Sequence, residues 1–296
     1  MNNILITGGL GHIGSHLIKT LSDEYNLTIV DNLLTQRYCS LFNTNRKIKF
    51  KDCGFEDMST EDLNKYDIVI HLAAVANAAL SASNRDMVYD VNVTRTKAFI
   101  DRVSQSKIKL FIFPSSTSVY GKGLEIMYES DDNICPQSPY AESKVEIEEY
   151  LKLSDVDHIT FRFGTIFGTS IGMRFHTAIN SFCYQAAFDK KLTVWRENYE
   201  HYRPYLGLDD AAQAIELVLK RPESYNQTYN VLSNNYKLSD IIQHIKGIKK
   251  VDIEFVDTPL INQFTYCVNF DKIKSLGYKP NDDLSKAIFE TMRLFK

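Results

Sequence analysis

The chain has 296 residues, 44% of them hydrophobic, so it can bury a sizeable core as one large domain or as two unequal lobes. Its net charge of -3 excludes the broad positive field that nucleic-acid binding requires, and we expect no nucleic-acid partner. No apolar stretch approaches the roughly 18 residues of a membrane span, and no charged leader precedes the first folded segment. We therefore expect a cytoplasmic protein with no membrane partner.

The five cysteines are widely spaced and form no C-x-x-C pair. This spacing predicts neither a disulfide framework nor a zinc site. We expect free thiols in a reducing compartment and no bound metal.

In chain order, the first half alternates short apolar runs with helical patterns. Strands are predicted at residues 4–6, 27–31, 48–50, 68–72, 110–113 and 159–163, and helices near 86–106 and 139–153. Alternating strands and helices are typical of a parallel, doubly wound sheet, and the continuous apolar character of the strands indicates burial on both faces. The fold class is therefore α/β, with a Rossmann-type domain.

The pattern loosens after about residue 165. A helix is predicted over 174–188, another over Leu208–Leu219, a strand at Gln227–Val231, a loop at 276–280 and a final amphipathic helix near 283–294. We predict a Rossmann domain over 1–165 with a returning segment near 203–232, and a smaller α/β lobe mainly over 166–296. No flexible linker separates them.

The first predicted strand leads into a glycine pattern, G-x-x-G-x-x-G, at Gly8, Gly11 and Gly14. Glycine lets the backbone turn sharply and approach a pyrophosphate, which then faces the free N–H groups at the start of the next helix. A glycine loop can also serve only to turn the chain, but its place between strand and helix favours a dinucleotide site.

Asp31 ends the second strand, 17 residues after Gly14. A carboxylate at this place accepts hydrogen bonds from the adenosine ribose, and its charge repels a 2′-phosphate, so NAD is favoured over NADP. The alternative is that Asp31 is only a turn residue at a strand end.

Tyr140 and Lys144 lie four residues apart on a predicted helix and hence on one face. A nearby ammonium lowers the pKa of a phenol, so that the phenolate can accept a hydroxyl proton while the carbon is oxidised. The same spacing also occurs in ordinary surface pairs.

Several motifs accompany that pair in a characteristic order. They are the glycine loop, His71-Leu72-Ala73-Ala74, Asn92, the Ser-Ser-x-x-Val-Tyr-Gly run at 115–121, Pro139-Tyr140-x-x-x-Lys144, and later matches at 203–211 and 276–280. With these motifs the chain resembles the extended short-chain dehydrogenase/reductase family, in particular its UDP-galactose 4-epimerase and nucleotide-sugar dehydratase group. The resemblance covers most of the chain.

The resemblance implies roles for individual residues. Tyr140 is expected to be the general base, Lys144 to hold the nicotinamide ribose and lower the pKa of Tyr140, and Ser116 to bind the reacting hydroxyl. The cofactor-binding residues implied are Gly8, Gly11, His12, Ile13, Gly14, Asp31, Asn32, Asp52, Cys53, Leu72, Ala73, Ala74, Asn92, Ser115, Tyr140, Lys144 and Phe163. Asp52 can equally be a solvated acid, and Tyr120 is expected to be a packing residue.

The choice of reaction depends on a departure from the dehydratase pattern. Dehydratases of the family carry an acidic pair where this chain has Thr117-Ser118, and loss of water needs an acid for the departing hydroxyl. The sequence therefore favours an NAD-dependent nucleotide-sugar epimerase that oxidises a hydroxyl, by resemblance at C4, and reduces it again. A 4-dehydrogenase or 4-ketoreductase, or a non-catalytic NAD-sensing protein, are the alternatives.

Four residues are candidates for binding a nucleotide-diphosphate sugar: Thr117, Thr165, Arg174 and Arg203. Many epimerases have asparagine at the position of Thr165, so we expect a different placement of the substrate here. Guanidinium groups match phosphate oxygens, although both arginines can also be surface residues. The resemblance further implies a homodimer formed through the helices near 86–106 and 139–153, whose apolar positions can instead be core.

Overall fold

The computed structural model describes residues 2–44, 47–76, 81, 83–121, 125–132, 134–257, 265–281 and 283–295. The strands are β1 (Asn3–Thr7), β2 (Asn26–Asp31), β3 (Lys49–Asp52), β4 (Ile68–His71), β5 (Leu110–Ser116), β6 (Ile126–Met127), β7 (His158–Phe163), β8 (Thr165–Phe167), β9 (Leu192–Trp195), β10 (Tyr202–Gly207), β11 (Gln227–Val231), β12 (Asn234–Lys237), β13 (Ile253–Val256) and β14 (Cys267–Val268).

The helices are α1 (His12–Thr20), α2 (Thr60–Leu63), α3 (Arg85–Tyr89), α4 (Thr96–Ser104), α5 (Pro139–Lys152), α6 (Ala178–Ala187), α7 (Leu208–Leu219), α8 (Leu238–Ile248), α9 (Asp271–Ser275) and α10 (Leu284–Arg293). Short 3₁₀ turns cover Tyr38–Leu41, Phe55–Asp57, Thr117–Val119, Arg196–Asn198 and Pro222–Ser224.

Seven of the described strands form one parallel sheet in the order β11, β7, β5, β4, β1, β2, β3. The strand order reverses at β1, which pairs with β2 on one side and β4 on the other. Open α/β sheets bind ligands at the carboxyl ends of the strands beside such a reversal. The predicted doubly wound parallel sheet is therefore confirmed.

Side chains of β1 alternate between two cores, one on each face of the sheet. Ile4 and Ile6 pack in the cluster that contains Leu17 of α1, whereas Leu5 packs in the cluster that contains Phe99 of α4. This alternation follows from the two-residue period of a strand. It explains why β1 is a continuous apolar run.

The chain after β7 forms smaller sheets, of β12, β10 and β8 and of β13 and β9. Their core includes residues of α6, α8 and α10. Strand β11 returns to the main sheet beside β7. No helix of the described residues has the length and apolar character that crossing a bilayer requires.

The helix predicted over 174–188 begins later, at Ala178. The residues before it pack closely on the glycine loop: a Cβ on Gly172 would lie 2.3 Å from the carbonyl oxygen of Leu10. Ser170 also donates a hydrogen bond of 2.8 Å to the carbonyl of His12. These contacts hold the segment out of a helix, so Arg174 lies in an irregular stretch before α6.

A buried histidine marks the end of β4. His71 lies among the rings of Phe55, Phe99 and Phe111, and its Nδ1 is 2.8 Å from the hydroxyl of Thr7. Burial, together with the charge of Lys144, lowers the pKa of His71 to about 3. The imidazole is therefore neutral near pH 7.

We expect the free energy of unfolding to fall as the pH drops from 6.5 towards 3. The unfolded chain binds a proton at His71 below its ordinary pKa of 6.5, whereas the folded chain binds one only near 3. The unfolded state thus binds more protons than the folded state in this window. The free energy of unfolding therefore falls by up to about 1.4 kcal/mol for each pH unit. Urea unfolding at several pH values measures the slope. An equally steep slope for His71→Phe would contradict the assignment.

Candidate active site

The glycine turn between β1 and α1 has no room for side chains. Gly8 has φ +64°, and a Cβ there would lie 2.6 Å from the backbone of Ala73. A Cβ on Gly14 would lie 2.4 Å from the carbonyl oxygen of Gly9. Both positions therefore require glycine, for the turn and for close packing of helix on strand.

The first turn of α1 presents its backbone at this loop, and Gly11 is the N-cap. The His12 side chain points elsewhere: its Nε2 lies 2.9 Å from the carbonyl oxygen of Gly168. Burial lowers the pKa of His12 to about 4, with Arg174 and Arg37 adding to the effect. His12 and the half-buried Ile13 can thus contact a cofactor through their backbone at a positively polarised helix end.

Asp31 ends β2 beside the glycine turn. Its carboxylate accepts hydrogen bonds from the backbone N–H of Leu10 at 3.1 Å and of Leu33 at 3.0 Å. A carboxylate has about four lone-pair sites, so capacity remains for ribose hydroxyls. The next residue, Asn32, is exposed and accepts a hydrogen bond from the N–H of Leu34.

The ends of β3 and β4 supply the next predicted residues. Asp52 is exposed and Cys53 is half-buried, and burial raises the pKa of the Cys53 thiol. Leu72, Ala73 and Ala74 follow β4 and are half-buried. They line the same sheet edge as the glycine turn.

Asn92 is buried in a π-helical turn, Asp90–Arg95, between α3 and α4. Its side-chain oxygen accepts a 2.8 Å hydrogen bond from the N–H of Val75, and its amide donates to the carbonyl of Val75 and the hydroxyl of Ser143. Both amide hydrogens are therefore used. In this structure Asn92 ties the loop after β4 to α5.

Ser116, Tyr140 and Lys144 come together at the carboxyl end of β5. Helix α5 starts next to Tyr140 because Ser138 caps the N–H of Ala141 at 3.2 Å and Pro139 occupies the first turn. The hydroxyl of Ser116 acts on the phenol of Tyr140 and lowers its pKa. The Lys144 Nζ donates a 2.7 Å hydrogen bond to the carbonyl of Pro114 and lies 5.7 Å from the centre of the Tyr140 ring.

Burial opposes ionisation of both catalytic candidates. It raises the pKa of Tyr140, while the charge of Arg174 and the hydrogen bond from Ser116 lower it. Burial lowers the pKa of Lys144 to about 7, and the charge of Glu148 opposes that change. Ionisation of the phenol in this corner therefore depends on nearby positive charge, part of which comes from Arg174.

We expect Arg174→Gln to move the acidic limb of the pH profile of kcat to higher pH. Loss of the guanidinium removes a charge that stabilises the phenolate of Tyr140, so the pKa of that phenol rises. The measurement is kcat at saturating substrate across the pH range. Arg203→Gln is the matched control, and an equal shift in both variants would contradict this electrostatic role.

Ser115, the neighbour of Ser116, points into a buried polar network. Its hydroxyl donates to the carboxylate of Glu148, which also accepts three hydrogen bonds from Arg162, the shortest 2.7 Å. Arg162 in turn donates to the hydroxyl of Tyr120 at 3.0 Å. Tyr120 is fully buried, in keeping with the packing role expected for it.

Thr117, which follows Ser116, is hydrogen-bonded to the backbone of Phe163. The Thr117 hydroxyl donates to the carbonyl of Phe163 at 3.3 Å, and the Phe163 ring stacks on Phe161. Thr165 is half-buried on β8 and is paired with Tyr205 of β10.

Arg203 on β10 lies next to the ring of Tyr266, whose hydroxyl contacts the turn that follows Ser116. Its guanidinium carbon lies 5.1 Å from the centre of the Tyr266 ring, and the Tyr266 hydroxyl donates to the carbonyl of Thr117 at 3.3 Å. Arg203 Nη2 and the hydroxyl of Ser118 are buried and have no hydrogen-bond partner among the described residues. Two polar atoms on this side are thus available to a ligand.

These features fit a dinucleotide cofactor at the sheet edge and a reacting hydroxyl beside Tyr140. The glycine turn admits a pyrophosphate, Asp31 suits an adenosine ribose, and Ser116, Tyr140 and Lys144 form a proton-transfer site. Within the described residues, no group of three or more His, Cys, Asp or Glu side chains could hold a metal ion. The fold and site together define a nicotinamide-dependent enzyme.

The chain belongs to the NAD dependent epimerase/dehydratase family, whose model matches residues 4–231. This confirms the resemblance found in the sequence, the enzyme class and NAD as the cofactor.

Both dehydratases and epimerases are among the proteins that are similar to the chain. A dTDP-D-glucose 4,6-dehydratase of Bos taurus is 25% identical over 99% of this chain and 88% of its own length. A UDP-glucose 4-epimerase of Lactobacillus helveticus is 25% identical over 95% of this chain and 92% of its own length. The structure of a UDP-N-acetylglucosamine 4-epimerase from Methanobrevibacter ruminantium M1 has a TM-score of 0.90, with 24% identity over 99% of this chain and 98% of that one.

The sequence did not predict the surroundings that the structure shows for three charged residues: Arg37, Glu148 and Arg174. Arg37 and Glu148 belong to no motif that the sequence analysis used. Arg174 was a candidate for the diphosphate, but its electrostatic effect on Tyr140 could not be read from residues 34 positions apart. Its signal was only its place after a glycine-rich run.

Proposed function

We propose that this protein is a nucleotide-sugar epimerase that transiently oxidises a sugar hydroxyl, at C4, and reduces the carbon again. The observation that carries the proposal is the meeting of Ser116, Tyr140 and Lys144 at the sheet edge, beside a turn that has no acidic side chain. The kinship to named nucleotide-sugar epimerases supports the same reaction.

In the proposed mechanism, Ser116 orients the sugar hydroxyl and the Tyr140 phenolate accepts its proton. NAD, when bound, would supply the hydride-transfer chemistry that oxidises and re-reduces the sugar carbon. Lys144 holds the nicotinamide ribose and its positive charge favours the phenolate. After the ketosugar has turned in the site, Tyr140 returns the proton to the oxygen.

Dehydration is disfavoured by the residues after Ser116. Loss of water needs a group that protonates the departing hydroxyl. Thr117 and Ser118 stand at this turn, and the Thr117 hydroxyl already donates to the carbonyl of Phe163. Neither side chain is an acid near neutral pH.

The substrate proposed is a nucleotide-diphosphate sugar. We assign Arg174 and Arg203 to its phosphates, and Thr165 and Thr117 to its sugar side. The unpartnered Nη2 of Arg203 supports this assignment. One guanidinium group can donate two parallel hydrogen bonds to the oxygens of a phosphate. The division into an NAD-binding part, 1–165 with 203–232, and a substrate lobe, mainly 166–296, is part of the same proposal.

The experiment uses UDP-glucose, UDP-N-acetylglucosamine and UDP-glucuronic acid, each deuterated at C4. Chromatography detects the 4-epimer, mass spectrometry follows the label, and absorbance follows reduced nicotinamide. We expect the epimer to form with the deuterium retained and without net reduction of NAD. Matched reactions of protium substrate in D₂O should give no label on carbon.

Three outcomes would overturn the proposal. Stoichiometric NADH would show a 4-dehydrogenase, solvent deuterium on carbon together with loss of water would show a dehydratase, and tight NAD binding without turnover of any sugar nucleotide would favour a sensor.

We also propose a cytoplasmic homodimer that acts in carbohydrate biosynthesis. Helices α3, α4 and α5 would form its interface. Within the chain, the ion pairs Arg85 to Glu142 and Lys97 to Glu146 link α3 and α4 to α5. Met87 lies on α3, and its side chain is 44% exposed. Light scattering after size exclusion measures the mass, and a monomeric mass would contradict the dimer.

A further inference from the structure

A buried guanidinium nitrogen lies over the glycine turn and has no role in the mechanism above. Arg37 Nη1 is shielded from solvent and has no hydrogen-bond partner among the residues that the structure describes. It lies 3.9 Å from the point that a Cβ would occupy on Gly11, the middle glycine of the motif. A buried cationic donor without an acceptor is costly, so this position favours an anion.

The loop that carries Arg37 is anchored on both sides of it. Before Arg37, the N–H of Gln36 donates to the carbonyl of Leu33 at 2.8 Å, and both residues have positive φ, 51° and 55°. After it, the fully buried Ser40 donates to the carbonyl of Leu10 in the glycine turn at 2.9 Å. Positive φ is costly for such residues, so the anchors that enforce it also fix Arg37 over the turn.

The surroundings of Arg37 are positive. Arg37 and Arg174 repel each other, and the same two charges act on His12, which is neutral because burial lowers its pKa to about 4. The start of α1 adds the positive end of a helix dipole. Asp31, the acid that precedes this loop, already accepts a backbone N–H on each oxygen.

We propose that Arg37 binds the pyrophosphate of the NAD cofactor. Gly11 directly precedes the first residue of α1, where the pyrophosphate lies in dinucleotide folds. The planar guanidinium can donate to two phosphate oxygens at once. Arg174, whose charge acts on Tyr140, remains on the substrate side, where we assign it together with Arg203 to the substrate diphosphate.

The test measures binding to the full-length protein after removal of its cofactor. Isothermal titration compares NAD⁺, ADP-ribose and adenosine with wild type, Arg37→Gln, Arg37→Lys and the exposed control Arg293→Gln. For Arg37→Gln we expect the Kd of NAD⁺ and ADP-ribose to rise about 10- to 100-fold. A change of this size corresponds to the loss of a hydrogen bond to a charged group. Adenosine, which has no pyrophosphate, should bind as in wild type, Arg37→Lys should recover part of the loss, and Arg293→Gln should behave as wild type.

Three results would overturn the assignment. An effect on NADP⁺ without one on NAD⁺ would place Arg37 at a ribose phosphate. Weaker binding of UDP to the NAD-loaded enzyme, with unchanged NAD⁺ affinity, would place it at the substrate diphosphate. An equal loss for adenosine, with a lower unfolding midpoint, would give it only a structural role. No sugar substrate enters the NAD⁺ titrations, so failure of the epimerase proposal leaves their result standing.

Discussion

Tyr140→Phe should lower kcat by about 10²- to 10⁴-fold, the usual contribution of a positioned general base. The substitution removes the phenolic oxygen, whose pKa Ser116 lowers, and keeps the ring beside Lys144. Packing is thus preserved while the proton acceptor is lost. The measurement is the rate of 4-epimer formation on whichever nucleotide sugar is turned over, together with the NAD content of the purified variant.

Tyr128→Phe is the matched control, because it makes the same substitution on the surface, where the Tyr128 side chain is 43% exposed. We expect this variant to keep wild-type turnover and both variants to keep their NAD. If Tyr140→Phe also kept wild-type turnover, another group would have to carry the proton. A variant that lost its NAD would report on cofactor binding rather than on proton transfer, and the assignment to catalysis would be wrong.

Glu148→Ala should lower the free energy of unfolding by about 3–5 kcal/mol, the range for breaking a buried ion pair. Glu148 and Arg162 are almost fully buried, at 1% and 3% side-chain exposure, and their closest atoms are 2.7 Å apart. Removing the carboxylate leaves the guanidinium of Arg162 buried without its anion. It also removes the acceptor of Ser115, the residue before Ser116. Urea unfolding of the two proteins measures the difference.

The neighbouring Glu149 provides the control for this prediction. Its carboxylate is 57% exposed and pairs with Lys152 on the surface, so Glu149→Ala should cost at most about 1 kcal/mol. The double variant Glu148→Met/Arg162→Met should recover most of the stability, because the guanidinium of Arg162 is then no longer buried without an anion. Equal losses for Glu148→Ala and Glu149→Ala would show that the buried pair has no special importance.

Local patterns were sufficient to predict the central sheet and the glycine turn. Gly8 directly follows an apolar strand, has φ +64° and lies close to the backbone of Ala73. A position with these features accepts few structures other than a tight turn. The Tyr140 and Lys144 pair was predictable for a similar reason: four residues make one helical turn, so the spacing places both side chains on one face. Prediction was weaker for the segment after Gly168, where contacts with the glycine loop delay the start of α6 to Ala178.

Roles that depend on residues far apart in the chain were not predictable. The carboxylate of Glu148 meets Ser115 and Arg162 from three different elements, and the amide of Asn92 holds Val75 and Ser143 together. The sequence predicts Asn92 and Ser115 as cofactor ligands, and Glu148 belongs to none of the motifs.

The sequence by itself determined the parallel α/β fold, the dinucleotide turn and the paired tyrosine and lysine, because these are set by backbone sterics and by the periods of strand and helix. Only the tertiary structure decided which cations face the phenol and the glycine turn. Arg174 and Arg37 reach those places by long-range packing, and electrostatic effects depend on distance and burial in space, which spacing along the chain does not specify.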